Sequence, residues 1–392
     1  MRNTHDYLLH YGDESFEDRP FGAVDSFCLC HGFYMPPLYA AYKAISPAPV
    51  KFGEMALKSF DLWGSKYRKV GVVLSGQVVI RLVQMARSPR FKDMEVVDFQ
   101  EVFQPDPAIQ FSAMTLKLSD GTVVIVFRGT DDSIIGWKED LDILVKKGMP
   151  SHRLALDFLE KAAANTDGPI VLCGHSKGGN LALYAALTCK EATRGRIRTV
   201  YNLEGPGFHN ADLYYTKAYR DLLPRYEHLL PTSAFVGTLL VHDDDYKTVK
   251  SGTFFGPLQH DLSFWLTDGP EPDYGKGLSL QGKIYKAFNR KFTALIPEGY
   301  YDTIEKVANG LVKGAGQLYL TGLVQNLGSS ARGMLRAWRS FDADTRADFR
   351  FALKDGPAAM ANAVKEVALP KRKEEVPAET PAEAPATATA TA

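Results

Sequence analysis

The sequence predicts an α/β protein with a mostly parallel central sheet and a helical C-terminal extension. Three observations lead there. The first is a set of short strand patterns, the apolar runs Thr122–Phe127 and Ile170–Cys173 and then Arg196–Leu203, separated by segments of helical periodicity. Strands apolar throughout are covered on both faces, and β–α–β order implies parallel pairing with right-handed crossovers. The second is the passage from Val171-Leu172-Cys173 through Gly174-His175-Ser176-Lys177-Gly178 into an Ala/Leu-rich helical pattern. It is the strand–turn–helix context of a G-x-S-x-G nucleophile elbow. The third is the loss of strand patterns after Pro272: residues 278–368 read as helices, punctuated by Gly310, Gly314, Gly316, Gly322 and Gly328.

These divisions give a domain of residues 1–277. Residues 1–90 form an N-terminal cap with helices, and residues 91–277 form the sheet core. A helical extension follows over 278–369, then a tail over 370–392. The tail is almost wholly Ala, Pro, Glu and Thr beyond its first basic residues and is expected to be disordered, because it has too little apolar surface to bury. Within the cap, Ala23–Leu29 reads as a short buried helix or strand, and Phe52–Arg87 as one or two helices interrupted at Ser75-Gly76. A period of two then marks strands at Met94–Phe99 and Gln110–Leu118, with Ser119-Asp120-Gly121 as a hairpin turn. Ser151–Ala164 is an amphipathic helix, and the elbow helix runs to about Leu187. Residues 210–230 read as helical, Phe235–Val241 as a strand, and Lys247–Lys250 as a short strand.

Composition narrows the function. Hydrophobic residues are 45%, charged residues 23% and the formal net charge is +0. That is ordinary globular composition with no electrostatic reason to bind nucleic acid. The four cysteines, at 28, 30, 173 and 189, suggest neither a disulfide framework nor a metal site. The N-terminus lacks an apolar signal core, and no apolar run approaches the roughly 18 residues of a membrane span. A soluble cytoplasmic protein is expected.

Ser176 would sit at the elbow apex, with Gly174 and Gly178 permitting the close approach of strand and helix. The backbone N–H of Lys177, at a helix N-terminus, would favour developing negative charge. A second such donor is expected from the polar loop after the buried strand, Arg128-Gly129-Thr130-Asp131-Asp132. Thr130 is the candidate, through its backbone N–H and its hydroxyl. The plainer reading of that loop is a helix cap led by Thr130 or Asp131. A serine hydroxyl needs a base, and the base needs a partner that fixes its tautomer. In elbow enzymes the chain order is Ser, then Asp or Glu, then His. His260, in a loop after the last predicted strands, suits the base, whereas His175 flanks the nucleophile and reads as structural. The Asp243-Asp244-Asp245 run, at the end of the strand expected before His260, suits the acid.

A resemblance enters here. Phe127-Arg128-Gly129-Thr130-Asp131, Gly174-His175-Ser176-Lys177-Gly178-Gly179-Asn180-Leu181-Ala182 and Gln259-His260-Asp261 are similar to the Mbeg-like family. So are the opening segment around Tyr7-Leu8 and Tyr11-Gly12-Asp13, and the stretch Val236-Gly237 to Val249-Lys250-Ser251. The likeness covers about residues 1–270. It implies an α/β-hydrolase fold related to the class 3 lipases, with Ser176 as nucleophile, His260 as base and Asp245 as acid. In the lipase pattern a Ser or Thr after Arg-Gly completes the oxyanion hole, which again selects Thr130.

The expected function is that of a serine hydrolase acting on carboxylic esters, with a small acyl-ester or lipid substrate and no metal or organic cofactor. The alternative is a non-catalytic binding protein on the same scaffold, motivated by the weight of chain after residue 278. Peripheral membrane contact, partner binding and self-association are the roles open to those helices. A metal site from His242, Asp243, Asp245, His260 and Asp261 has the right ligand types but leaves the elbow unexplained.

Overall fold

A computed structural model describes residues 2–45, 47–63, 76–145, 148–295, 298–317 and 326–368. The tail from 370 and part of the interrupted helical stretch between Phe52 and Arg87 lie outside these residues. Three helices open the chain: α1 (Thr4–Tyr11), α2 (Ala23–Gly32) and α3 (Leu38–Ile45). A two-residue edge strand, β1 (Val50–Lys51), leads into α4 (Phe52–Trp63), α5 (Gln77–Arg87) and α6 (Pro89–Lys92). The sheet proper follows with β2 (Glu95–Pro105), β3 (Ala108–Lys117) and β4 (Val123–Phe127). Helices α7 (Ile134–Val145) and α8 (Pro150–Asn165) then lead to β5 (Ile170–His175) and α9 (Lys177–Thr188). After α10 (Glu191–Arg196) come β6 (Ile197–Leu203), α11 (Lys217–Leu222), β7 (Tyr226–Pro231) and β8 (Lys247–Val249). A small hairpin of β9 (Thr267–Asp268) and β10 (Glu271–Pro272) precedes α12 (Leu280–Leu295) and α13 (Tyr301–Ala315). The helices Leu327–Ser340, Ala343–Leu353 and Gly356–Ala368 close the described chain.

The eight strands of the main sheet lie in sequence order. Pairs from β1 to β4 are antiparallel, and pairs from β4 to β8 are parallel. The fold is therefore mixed α/β, its parallel half carrying the elbow. Strand residues alternate between two cores. Val124, Val126, Val171 and Cys173 pack with the N-terminal helices, while Val123, Ile125, Phe127, Ile170 and Leu172 pack with α8 and α9. This double cover is why β4 and β5 read as unbroken apolar runs. The N-terminal helices thus lie over one sheet face. Within them α2 is buried along its whole length.

Two expected elements differ. Phe235–Val241 is not a strand but a loop around a single 3₁₀ turn, Val236–Thr238. Its residues are apolar because Phe235, Val236 and Leu239 wall a cavity. The neighbouring strand is instead Tyr226–Pro231, inside the stretch read as helical. Its Glu227 and His228 mask the pattern, although His228 is buried against Tyr226, 5.8 Å between ring centroids. Among the described residues no helix is long and apolar enough to cross a membrane.

The C-terminal helices hold that loop in place. Asn289 of α12 donates to the Phe235 carbonyl at 2.9 Å and to Thr238 Oγ1 at 2.8 Å, and Tyr285 packs edge-on against Phe235. Helix α13 packs against α7.

A buried histidine couples stability to pH. His152, at the start of α8, donates from Nε2 to Asn180 Oδ1 at 2.8 Å and accepts from the Met149 N–H at 3.3 Å. The same Asn180 donates to the carbonyls of Pro206 and Gly207. The ring therefore ties α8 to α9 and to the loop leaving β6. Burial pushes His152 down from its usual 6.5 to about 4. Between those values the unfolded chain binds more protons than the folded one, so stability rises with pH. This contribution is complete above pH 6.5 and is lost as pH falls toward 4, amounting to about 3 kcal/mol. Urea unfolding across that window should show a shallower pH dependence in His152→Gln than in the parent. Equal slopes would contradict the assignment.

Candidate active site

The elbow forms where β5 meets α9. Ser176 adopts φ 57° and ψ −131°, a conformation that costs an L-residue about 1–3 kcal/mol. Its surroundings force it. A Cβ on Gly174 would lie 2.1 Å from the Gly178 carbonyl oxygen, and one on Gly178 would lie 2.1 Å from that of Phe127. Only glycines let the helix start this close to the strand. The Ser176 N–H donates to the Leu203 carbonyl at 2.9 Å, tying the apex to β6.

Register brings the next residue of interest. His175 pairs with Leu203, so Ser176 and Glu204 leave adjacent parallel strands side by side. Glu204 also has positive φ, 50°, and its carboxylate is buried, with 1% of the side chain exposed. The Phe235 N–H donates to Oε1 at 3.1 Å. His260 Nδ1–H donates to Oε2 at 2.9 Å. That bond fixes the tautomer of a neutral His260, leaving Nε2 with its lone pair.

His260 closes a 3₁₀ turn, Gly256–His260, anchored on several sides. Gln259 accepts from the Ser233 N–H at 2.8 Å and donates to the Thr253 carbonyl at 2.8 Å. Trp265 Nε1–H donates to the Gln259 carbonyl at 2.8 Å. His175 supports the ring itself. Its Nε2–H donates to the His260 carbonyl at 2.8 Å, which leaves Nδ1 to accept from the Tyr34 hydroxyl at 2.8 Å. The two imidazoles lie 4.4 Å apart between centroids. Burial, then the proximity of His260, hold His175 well below the usual histidine range, so it stays neutral beside its neighbour.

Ser176, His260, Glu204, Thr130 and Lys177 line one pocket of about 560 Å³. Lys177 is the first residue of α9, so its N–H has no partner within the helix. Its side chain, 1% exposed, turns inward instead: the ammonium donates to Glu139 Oε2, to the Gln110 carbonyl and to Gln110 Oε1, each at 2.8 Å. Glu139 also accepts from the Gln110 N–H at 3.0 Å and from the Ser151 hydroxyl. This buried pair locks α7 and β3 to the elbow. Thr130 Oγ1 donates to Asp140 Oδ1 at 2.7 Å, which commits its hydroxyl proton and leaves the backbone N–H as the donor it can offer the pocket. Desolvation raises the Asp140 carboxyl, opposed by Lys177 and the Thr130 hydroxyl. Asp131 caps the following turn, accepting from the Ser133 N–H at 2.8 Å.

The sequence expectation for the acid differs from this geometry. Asp245 is exposed and does not line the pocket. Asp244 pairs with Lys286 of α12, and Asp243 is raised to about 6 by burial and then by the nearby Asp245 and Asp244 carboxylates. The carboxylate that meets His260 belongs to Glu204. The stretch read as a strand before the Asp run is a loop, whereas Glu204 stands at the exit of β6, next to the elbow strand. The available signal was a lone Glu at the exit of an apolar strand, in an otherwise Gly/Pro loop next to the elbow strand. Tyr34, which reaches the pocket from the N-terminal layer, carried no such signal. Among the described residues no group of three or more His, Cys, Asp or Glu side chains converges to hold a metal ion.

The Mbeg1-like family matches residues 85–306 of the chain. The chain belongs to this family. The match contains β2 to β10, the elbow, Glu204 and His260, together with α12. Tyr34 and helices α1 to α4 lie before it. No curated protein and no solved structure matches the chain.

Proposed function

We propose that this Mbeg1-like protein is a serine hydrolase of the α/β-hydrolase type that cleaves carboxylic esters through an acyl-enzyme on Ser176. One observation carries the reading: a serine in a strained strand–helix turn shares a pocket with an imidazole whose far nitrogen is held by a buried carboxylate. Glycine-enforced close approach and a positive φ at a non-glycine residue are the marks of an elbow built to expose its hydroxyl.

In the proposed cycle Ser176 Oγ attacks the ester carbonyl while His260 Nε2 takes its proton. Glu204 orients His260 and stabilises the imidazolium. The N–H groups of Lys177 and Thr130 receive the oxyanion, each worth about 10²–10³ in turnover. Collapse breaks the C–O bond to the alcohol, and His260 returns the proton to the leaving oxygen. Water then attacks the acyl-serine with His260 again as base, releasing the acid and restoring Ser176. Apolar side chains of α7 and of the 235–239 loop offer the acyl chain a dry wall.

The purified protein should release p-nitrophenol from a short-chain p-nitrophenyl ester with an initial burst equal to the protein concentration, followed by slower turnover. Release no faster than in buffer would refute the proposal.

A further inference from the structure

Resting on the hydrolase reading above, we infer that the pocket selects its ester by charge: an apolar acyl chain joined to an uncharged or cationic alcohol, with anionic substrates rejected.

The walls carry the argument. One side is apolar, with Trp137, Leu141 and Ile143 from α7 facing Phe235, Val236 and Leu239. The polar lining is acidic: Asp131, Asp132 and Asp140 join Glu204 around the space. Lys177 is the one Lys or Arg among the described lining residues, and its ammonium is consumed by Glu139 and Gln110 below the floor. Arg128, at the end of β4, does not line the pocket. Its guanidinium, 6% exposed, lies 2.9 Å from Glu101 and 3.3 Å from Asp131. No lysine or arginine among the described lining residues is therefore left to receive a phosphate, sulfonate or carboxylate, the groups that proteins bind with charge-assisted forks. An anion entering would meet carboxylates across a low-dielectric wall. A quaternary ammonium would meet those same carboxylates and the ring of Trp137, 44% exposed.

Three butyrate esters test this on the full chain: the choline ester, its uncharged isostere 3,3-dimethylbutyl butyrate, and the anionic 2-sulfoethyl butyrate. Like charges about 10 Å apart at an effective dielectric near 20 suffice for about a tenfold effect. We expect kcat/KM for the sulfoethyl ester at least about tenfold below the neutral ester, with choline equal or faster, and a gap that narrows with salt. Asp131→Asn and Asp132→Asn should each raise the sulfoethyl-to-neutral ratio by about threefold or more. A sulfoethyl ester cleaved as fast as the neutral one overturns the inference, as does a ratio unmoved in both variants. If the anionic ester wins while a fluorophosphonate still labels Ser176, charge selection alone falls. If Ser176 is inert and no ester turns over, the hydrolase reading falls and charge selection with it.

Discussion

Ser176→Ala should reduce ester turnover by about 10⁶-fold while leaving the fold intact. No second nucleophile can substitute: the hydroxyl is the one group at the apex, and the neighbouring side chains His175 and Lys177 are both engaged inside the protein. Alanine removes only an oxygen and keeps the Cβ that the strained turn already accommodates, so unfolding by urea should change by less than about 1 kcal/mol. The substitution separates chemistry from architecture. Turnover that survives it within about tenfold would mean the reaction is carried elsewhere.

Glu204→Gln should lower turnover by about 10⁴-fold, whereas Asp245→Asn should stay within about twofold of the parent. The difference follows from what each residue touches. Glu204 is an acceptor for His260 Nδ1–H at 2.9 Å from a buried position, and an amide there can present its NH₂ and stabilise the wrong tautomer. Asp245 is exposed and away from the pocket, where a lost charge is screened by water. Glu204→Asp is the informative intermediate, because it keeps the charge and shortens the reach. Steady-state kinetics on the three variants check the ranking, and an Asp245 effect larger than the Glu204 effect would reverse the assignment of the acid.

The elbow was legible because its constraints are local: two glycines that permit close approach, an apolar strand before them and an Ala/Leu helix after. His260's place at the pocket was legible from its position in a loop after the last predicted strands. Glu204's place beside His260 was not, since it depends on two strands leaving the sheet in register, and pairing register is a tertiary fact. The 235–239 loop misread as a strand for a related reason. Apolar residues that wall a cavity have the same composition as those that fill a sheet, and only the fold distinguishes them. The side chain of Lys177 reversed the usual expectation for lysine, being buried and matched by Glu139, which lies 38 residues earlier in the chain. Tyr34 and the 235–239 loop show how far the site extends beyond its local motif: one comes from the layer over the sheet, and the other is fixed by a helix of the C-terminal extension.

Exposure of the full chain to a fluorophosphonate, followed by digestion and mass mapping of the adduct, is the sharpest test of this arrangement. The account requires one phosphonate per chain, carried on the peptide containing Ser176, and formed far more slowly when Glu204 is Gln. An unmodified Ser176, or an adduct mapped to another residue, would contradict it.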